Sequence, residues 1–327
     1  PPRSTPLYSS AASDVYKRQI YILSIISSFA CFTVVTAQQL PVRSNYLMSP
    51  FQDHVASAGN KPCLDMRLGF RNQWVGFEGA PSYSFASLSG RISETNQSVH
   101  GVGGRIETDE AGPWGTTSKS LEYAYKLKMT NGGWLSSGLS VGVVQHRLNI
   151  GSLNFPDFEA AYDPAVSSSS QFLFPTIDAG VWYEDEHSFI GITMINATAA
   201  ELSEMTLSSR TSRHVVATAG SSFDLDGRFM FKASAQMRMA SGLPASLDVT
   251  ALLSYEDQFS IGAGYRNQSA LIAHLQIALM DYITLGYTYD FGISEIRTAA
   301  ASSHEVIIAL SSCDIRSKRA QHCSAYD

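Results

Sequence analysis

Leu121, Tyr123, Tyr125, Leu127 and Met129 fall on one side of an extended chain, and Glu122, Ala124, Lys126 and Lys128 fall on the other. This is a period of two. A helix would scatter the same residues around its circumference. The alternation returns at Phe229–Arg238, where Phe229, Phe231, Ala233, Ala235 and Met237 share a side. It returns at Leu247–Tyr255, with Leu252 as an exception, and at Ile283–Phe291. The pattern predicts an all-β chain of about 14 strands (range 12–14). They fall near 63–73, 82–92, 98–107, 118–129, 134–147, 175–184, 187–195, 213–224, 228–239, 245–256, 258–267, 269–279, 281–291 and 303–312. Turn formers such as Asn131-Gly132-Gly133 and Asp224-Leu225-Asp226-Gly227 separate them. Two longer interruptions stand at 148–174 and 196–212.

Antiparallel strands of about ten residues joined by short turns fit a soluble sandwich or an outer-membrane barrel. The barrel is favoured by aromatics at strand ends: Trp74, Phe77, Trp134, Trp182, Tyr183, Tyr255, Tyr265, Tyr287, Tyr289 and Phe291. It is also favoured by a minor face of Gly, Ser and Thr with scattered charge, on which Glu122, Lys126, Lys128, Asp248 and Asp290 are expected to face the lumen. The chain start supplies an export route. Lys17 and Arg18 precede an apolar run, Ile20–Ala37, that ends in Val35-Thr36-Ala37. This is the form of a signal peptide, with cleavage expected between Ala37 and Gln38. The expected organisation is 1–19, a polar leader or adaptor-derived sequence; 20–37, the signal peptide; 38–62, a periplasmic segment; 63–312, the barrel; and 313–327, a tail read as a periplasmic extension or the product of a shifted frame.

Composition narrows the classes. Charged residues are 16% of the 327, below the ~25% usual for soluble proteins. A net charge of -6 argues against nucleic acid as a partner. A mean hydropathy of -0.03 excludes a bundle of membrane helices but not a barrel, whose lipid-facing residues alternate with polar ones. The four cysteines show no CxxC spacing, which excludes a zinc ribbon or a disulfide scaffold.

Motifs of catalysis are weak. Gly138-Leu139-Ser140-Val141-Gly142 matches G-x-S-x-G, but it lies inside an alternating strand, and a nucleophile elbow needs a strand–turn–helix context. Gly101-Val102-Gly103-Gly104 begins a dinucleotide-type string that fails at its last glycine. Ser302-Ser303 beside His304-Glu305 is a thin basis for a hydrolase. Asp157, Glu159 and Asp163 read as a solvated loop rather than a calcium site. No cofactor, no metal and no enzyme activity are expected.

One stretch is not generic. Arg71-Asn72-Gln73-Trp74-Val75-Gly76-Phe77-Glu78-Gly79-Ala80-Pro81 follows a strand and an upstream Tyr46-Leu47-Met48-Ser49-Pro50. This string resembles the PorP/SprF family of the type IX secretion system of Bacteroidota. Later strings agree in order: LEYAYKLK at Leu121–Lys128, Ile190-Gly191-Ile192-Thr193, FSIGAGYR at Phe259–Arg266, GYTYD at Gly286–Asp290, and Ser303-His304-Glu305-Val306. Departures are Ile195 in place of a proline and a last strand without a terminal aromatic. The resemblance spans about residues 45–312 and implies an outer-membrane accessory barrel without catalysis. Such a barrel assists secretion or surface attachment of large cargo, such as gliding adhesins, with type IX components as partners and outer-membrane lipid around it. Arg71, Gln73, Trp74, Gly76, Phe77, Glu78, Gly79 and Pro81 are the candidate partner-docking residues, with Arg71 and Glu78 expected to offer a charge pair. The alternative function is a free-standing porin or hydrophobic-solute channel. The interruption 148–174 carries three acids and no Lys or Arg, a poor constriction loop for that role.

Overall fold

The computed structural model describes residues 41–149, 170–198, 211–241, 243–294 and 302–312. Fourteen antiparallel strands close into a barrel. They are β1 (Asp65–Asn72), β2 (Ser82–Glu94), β3 (Ser98–Ala111), β4 (Trp114–Lys128), β5 (Trp134–Leu148), β6 (Ser170–Glu184), β7 (Ser188–Ile195), β8 (His214–Asp224), β9 (Phe229–Ala240), β10 (Ser246–Tyr255), β11 (Phe259–Arg266), β12 (Ala270–Met280), β13 (Ile283–Gly292) and β14 (Ser302–Ser311). Each strand pairs with its sequence neighbours, and β1 pairs with β14 from Asp65↔Ser311 to Asn72↔His304. Closure leaves no edge strand with unpaired backbone groups, which is the condition for a sheet to cross a bilayer.

The alternation sorts the two faces as the sequence predicts. Leu121, Leu139, Val141 and Ile190 point outward and are exposed, while Glu122, Lys126, Asp248 and Asp290 point inward and are buried. Lys128 shares their side of β4 but reaches past the wall, where its ammonium lies 5.7 Å from the centre of the Trp134 ring. Trp182 departs from the expected aromatic girdle. It points inward and is fully buried against Phe189.

Three strands run further than the apolar pattern indicates. β3 continues to Ala111, β4 begins at Trp114 and β6 at Ser170. In these extensions polar residues such as Thr108, Glu110, Thr117 and Gln171 take outward positions. A strand that has left the hydrocarbon layer has no apolar face to alternate, so it loses the sequence signal while keeping its hydrogen bonds. The turns at the opposite end, where β1 begins and β14 ends, are short: 95–97, 129–133, 185–187, 225–228, 256–258 and 281–282. Short turns mark the periplasmic end of bacterial barrels, and the longer connections 73–81, 149–169, 196–213 and 293–301 are then extracellular.

Residues 43–60 do not lie in the periplasm, the place expected from the sequence for 38–62. Residues 43–60 are buried almost without interruption within the barrel. Two short 3-10 turns, Pro50–Gln52 and Val55–Ser57, fold this segment into a plug. Apolar plug residues fill gaps in the wall: Tyr46, Leu47 and Ala56 cluster with Trp182, Phe189 and Leu252. Leu252, the break in the alternation of β10, is thus an inward leucine because it meets the plug.

Candidate functional site

The first group of plug contacts lies in the extracellular half of the lumen. Arg71, near the end of β1, donates from Nη2 to Asp290 Oδ2 on β13 (2.8 Å) and from Nη1 to Glu305 Oε2 on β14 (3.1 Å). Arg266 on β11 reaches Asp290 Oδ2 (3.1 Å) and Asp248 Oδ1 on β10 (2.7 Å). Arg238 on β9 donates to Asp248 Oδ2 (2.7 Å). Cations and carboxylates therefore alternate along this arc of wall, and each carboxylate has at least one guanidinium partner.

The plug backbone and Ser44 are bound into this arc. Ser44 N–H donates to Glu305 Oε2 (2.8 Å), Asn45 N–H to Glu305 Oε1 (3.2 Å), and the Ser44 hydroxyl to Asp290 Oδ2 (2.6 Å). The Arg43 carbonyl accepts from Arg238 (2.9 Å) and Arg266 (3.3 Å). Arg43 itself pairs with Asp53, within the plug. Asp53 also accepts from Gln236 Nε2 at 3.0 Å. A low-dielectric interior makes such charge-assisted bonds strong when complete and costly when one partner is lost.

A second group holds the lower plug. Arg105 on β3 donates to Glu122 Oε1 (2.8 Å), Asp178 Oδ2 (3.2 Å) and the Gln52 carbonyl (2.6 Å). Lys126 Nζ bonds Glu184 Oε1 (2.6 Å) and Asn60 Oδ1 (2.8 Å), while Asn60 Nδ2 returns to Glu184 Oε2 (2.7 Å). His54 sits between the hydroxyls of Thr193 (3.1 Å) and Thr218 (2.7 Å), with its ring 5.1 Å from that of Trp182.

The glycine-rich strings find their use here. A Cβ on Gly138 would lie 2.6 Å from the backbone of Ala56, and one on Gly101 would run into the Ala58 carbonyl. These glycines let the plug backbone lie directly against the wall. Ser140 is buried and donates to Glu122 at 3.3 Å, as a lumen ligature. Ser303 and His304, as strand neighbours, face opposite ways. Ser303 accepts from the Trp74 N–H at 3.1 Å, and His304 Nδ1 meets the Tyr287 hydroxyl at 2.7 Å on the outside.

The candidate docking string divides. Arg71 is buried in the arc and offers no charge to a partner, and Glu78 is exposed in the loop, so the two do not act as a pair. Arginine at a strand end reads the same in sequence whether it faces solvent or a lumen. Residues 73–81 form the first extracellular connection, closed by Gln73 N–H to the Pro81 carbonyl (2.9 Å). Trp74, Gly76 and Gly79 all take positive φ there (52°, 98° and 73°). Val75 N–H bonds the Ser302 carbonyl (2.9 Å) and Gly112 N–H bonds the Gly79 carbonyl (3.0 Å), so β14 on one side and the β3–β4 turn on the other brace the loop. Val75 and Phe77 are exposed at its tip, and Trp74 is half-buried.

Cys63, at the foot of the plug, is disulfide-bonded. Outside the described residues lie the expected cleavage site Ala37/Gln38, the signal peptide, the tail 313–327, and Asp157, Glu159 and Asp163. Among the described residues no group of three His, Cys, Asp or Glu is placed to hold a metal ion.

A closed antiparallel wall with an apolar outer belt and an ionic, plugged lumen defines an outer-membrane β-barrel protein. Its sequence matches the family described as type IX secretion system membrane protein PorP/SprF over residues 35–310, and the chain belongs to that family. The family is one of secretion-system membrane proteins and not a known enzyme class, and it associates this chain with type IX secretion components. Curated proteins give no match. Among solved structures, the barrel resembles Acinetobacter baumannii Omp33 (9% identity, 77% of this chain and 99% of that one, TM-score 0.44). It also resembles the translocator domain of the Neisseria meningitidis autotransporter NalP (9%, 94% and 99%, TM-score 0.42) and the P. putida toluene transporter TodX (8%, 84% and 94%, TM-score 0.47). Likeness at this level is one of form alone.

Proposed function

We propose that this protein is a non-catalytic accessory barrel of type IX secretion that helps to secrete or attach large surface cargo, such as a gliding adhesin, by docking rather than by conducting. The observation that carries this reading is the plug. A porin or hydrophobic-solute channel needs a continuous path, and residues 43–60 occupy it, tied to the wall by buried charge. A wall fixed from within is suited to bear load at its outer end. The braced loop 73–81 is the proposed contact for cargo. Its rigidity lowers the ordering cost of binding; Trp74 is of the residue type most enriched at binding hot spots, and exposed Phe77 and Val75 in front of it add apolar area.

The test is a surface-display assay of type IX cargo in cells carrying Phe77→Ala or Trp74→Ala, scored beside the folded level of the barrel by heat-modifiable gel mobility. The reading expects cargo to be released or trapped while the folded level holds and small-solute uptake is unchanged. Display that falls only in step with folded protein would reduce the loop to a membrane anchor. Loss of a solute's uptake with all surface proteins in place would transfer the function to the channel reading.

A further inference from the structure

Under Leu47 and Met48, and beside the lower plug, the lumen is open. A chamber of about 400 Å³ lies at the short-turn end, within the range of ligand pockets. Leu47 and Met48 of the plug line it, as do Lys61, Pro62 and Cys63 of the segment leading to β1. The rest is wall. Met230, Ala278 and Ala309 line it with apolar groups, and Ser222, Ser254, Ser260, Gln276 and Thr284, from five different strands, with polar ones. Such groups leave space beside the wall and offer both donors and acceptors.

Three facts constrain what the chamber takes. Leu47 and Met48 of the plug roof it, beneath Ser44 and Asn45 bonded into the ionic arc, so what enters from the periplasm is taken to leave by the same mouth. This is the geometry of a socket. The lining is as apolar as it is polar: its hydroxyls and amides disfavour a pure hydrocarbon solute, while Leu47, Met48 and Pro62 offer an apolar patch. The mouth carries Glu186 and Asp257 from two turns and Asp224 from the end of β8, and Lys232 and the Arg67–Asp65 pair (2.9 Å) line the same chamber. Mixed charge inside an acidic mouth suits the alternating dipoles of a peptide better than an ion of one sign.

We propose that this chamber is a binding socket for an extended peptide segment of a periplasmic protein. One apolar side chain of the segment would rest against Leu47 and Met48. Its backbone would bond the ring of hydroxyls and amides, and a flanking Lys or Arg would meet the mouth carboxylates. The proposal rests on the fold and its orientation, and is independent of cargo docking at the opposite end.

The test is photocrosslinking in intact cells from p-benzoylphenylalanine placed at Gln258 on the mouth turn or at Gln276 inside, with Leu139 on the lipid face as control. The expected result is one periplasmic protein joined from both chamber positions through the same segment, identified by mass spectrometry and flanked by Lys or Arg. Asp224→Lys combined with Asp257→Lys should lower the yield about tenfold by placing like charges together. Ser254→Trp, which fills the chamber and leaves the mouth intact, should abolish it. Heat-modifiable mobility reports folding of each variant. Adducts only to this chain or to lipid, adducts to many unrelated proteins, or a yield indifferent to both changes in folded barrels would overturn the socket. Lost crosslinks with normal cargo display would separate this site from the extracellular one.

Discussion

On β4 the outward residues Leu121, Tyr123 and Leu127 are 70%, 44% and 44% exposed, while the inward Glu122 and Lys126 are 4% and 1% exposed and bonded to named partners on other strands or the plug. The outward face asks only that a side chain be apolar and fit beside its neighbours, because its counterpart is fluid lipid. The inward face asks for particular atoms at particular distances. Alternation of polar and apolar residues suggests an interchangeable lining washed by water, and a water-filled lumen would tolerate substitution. The plug reverses that expectation, since here the polar face is the packed one.

The largest test of the difference is at Arg71. Arg71→Leu removes a cation from both Asp290 and Glu305, and breaking a buried pair in this way costs about 3–5 kcal/mol. Urea unfolding in micelles should show it, and a variant that also carries Glu305→Leu should recover part of the loss. On the lipid side, Leu139→Arg or Leu285→Arg should cost about 2–4 kcal/mol near the midplane, measured in the same way, whereas Leu139→Ile should be nearly neutral. If lumen and lipid faces respond alike, the distinction drawn here fails. A smaller effect is expected at the plug seat. Gly138→Val puts carbon against the Ala56 backbone, and overpacking of this kind costs about 1–3 kcal/mol. Smallest in stability is Phe77→Ala, within about 0.5 kcal/mol as for other exposed sites, although cargo display should fall.

The wall was legible because a two-residue period survives wherever one face meets lipid. That signal faded at Thr108–Glu110 and Gly115–Thr117, where β3 and β4 rise beyond the membrane and both faces turn polar. The plug was not legible. It has no period, and its ligatures join residues as far apart as Ser44 and Glu305, 261 positions along the chain. Leu252 carried a trace of it, as an apolar residue on a polar face. The strings that resemble the family carried more. Arg71, Arg266, Asp290 and Glu305 each come from a different string, and Tyr46–Pro50 lies in the plug, yet their convergence became visible only once the strands closed into a ring. Arg71 was placed on the wrong side for the same reason, since nothing local distinguishes a rim arginine from one turned inward.

The central claim is that residues 43–60 seal the lumen. Single-channel conductance of the intact protein in a planar bilayer tests it directly, beside a variant in which Arg71→Leu and Arg238→Leu loosen the plug from the extracellular arc. The account predicts a silent intact barrel and intermittent openings in the variant. A steady open-pore current from the intact, folded protein would contradict it.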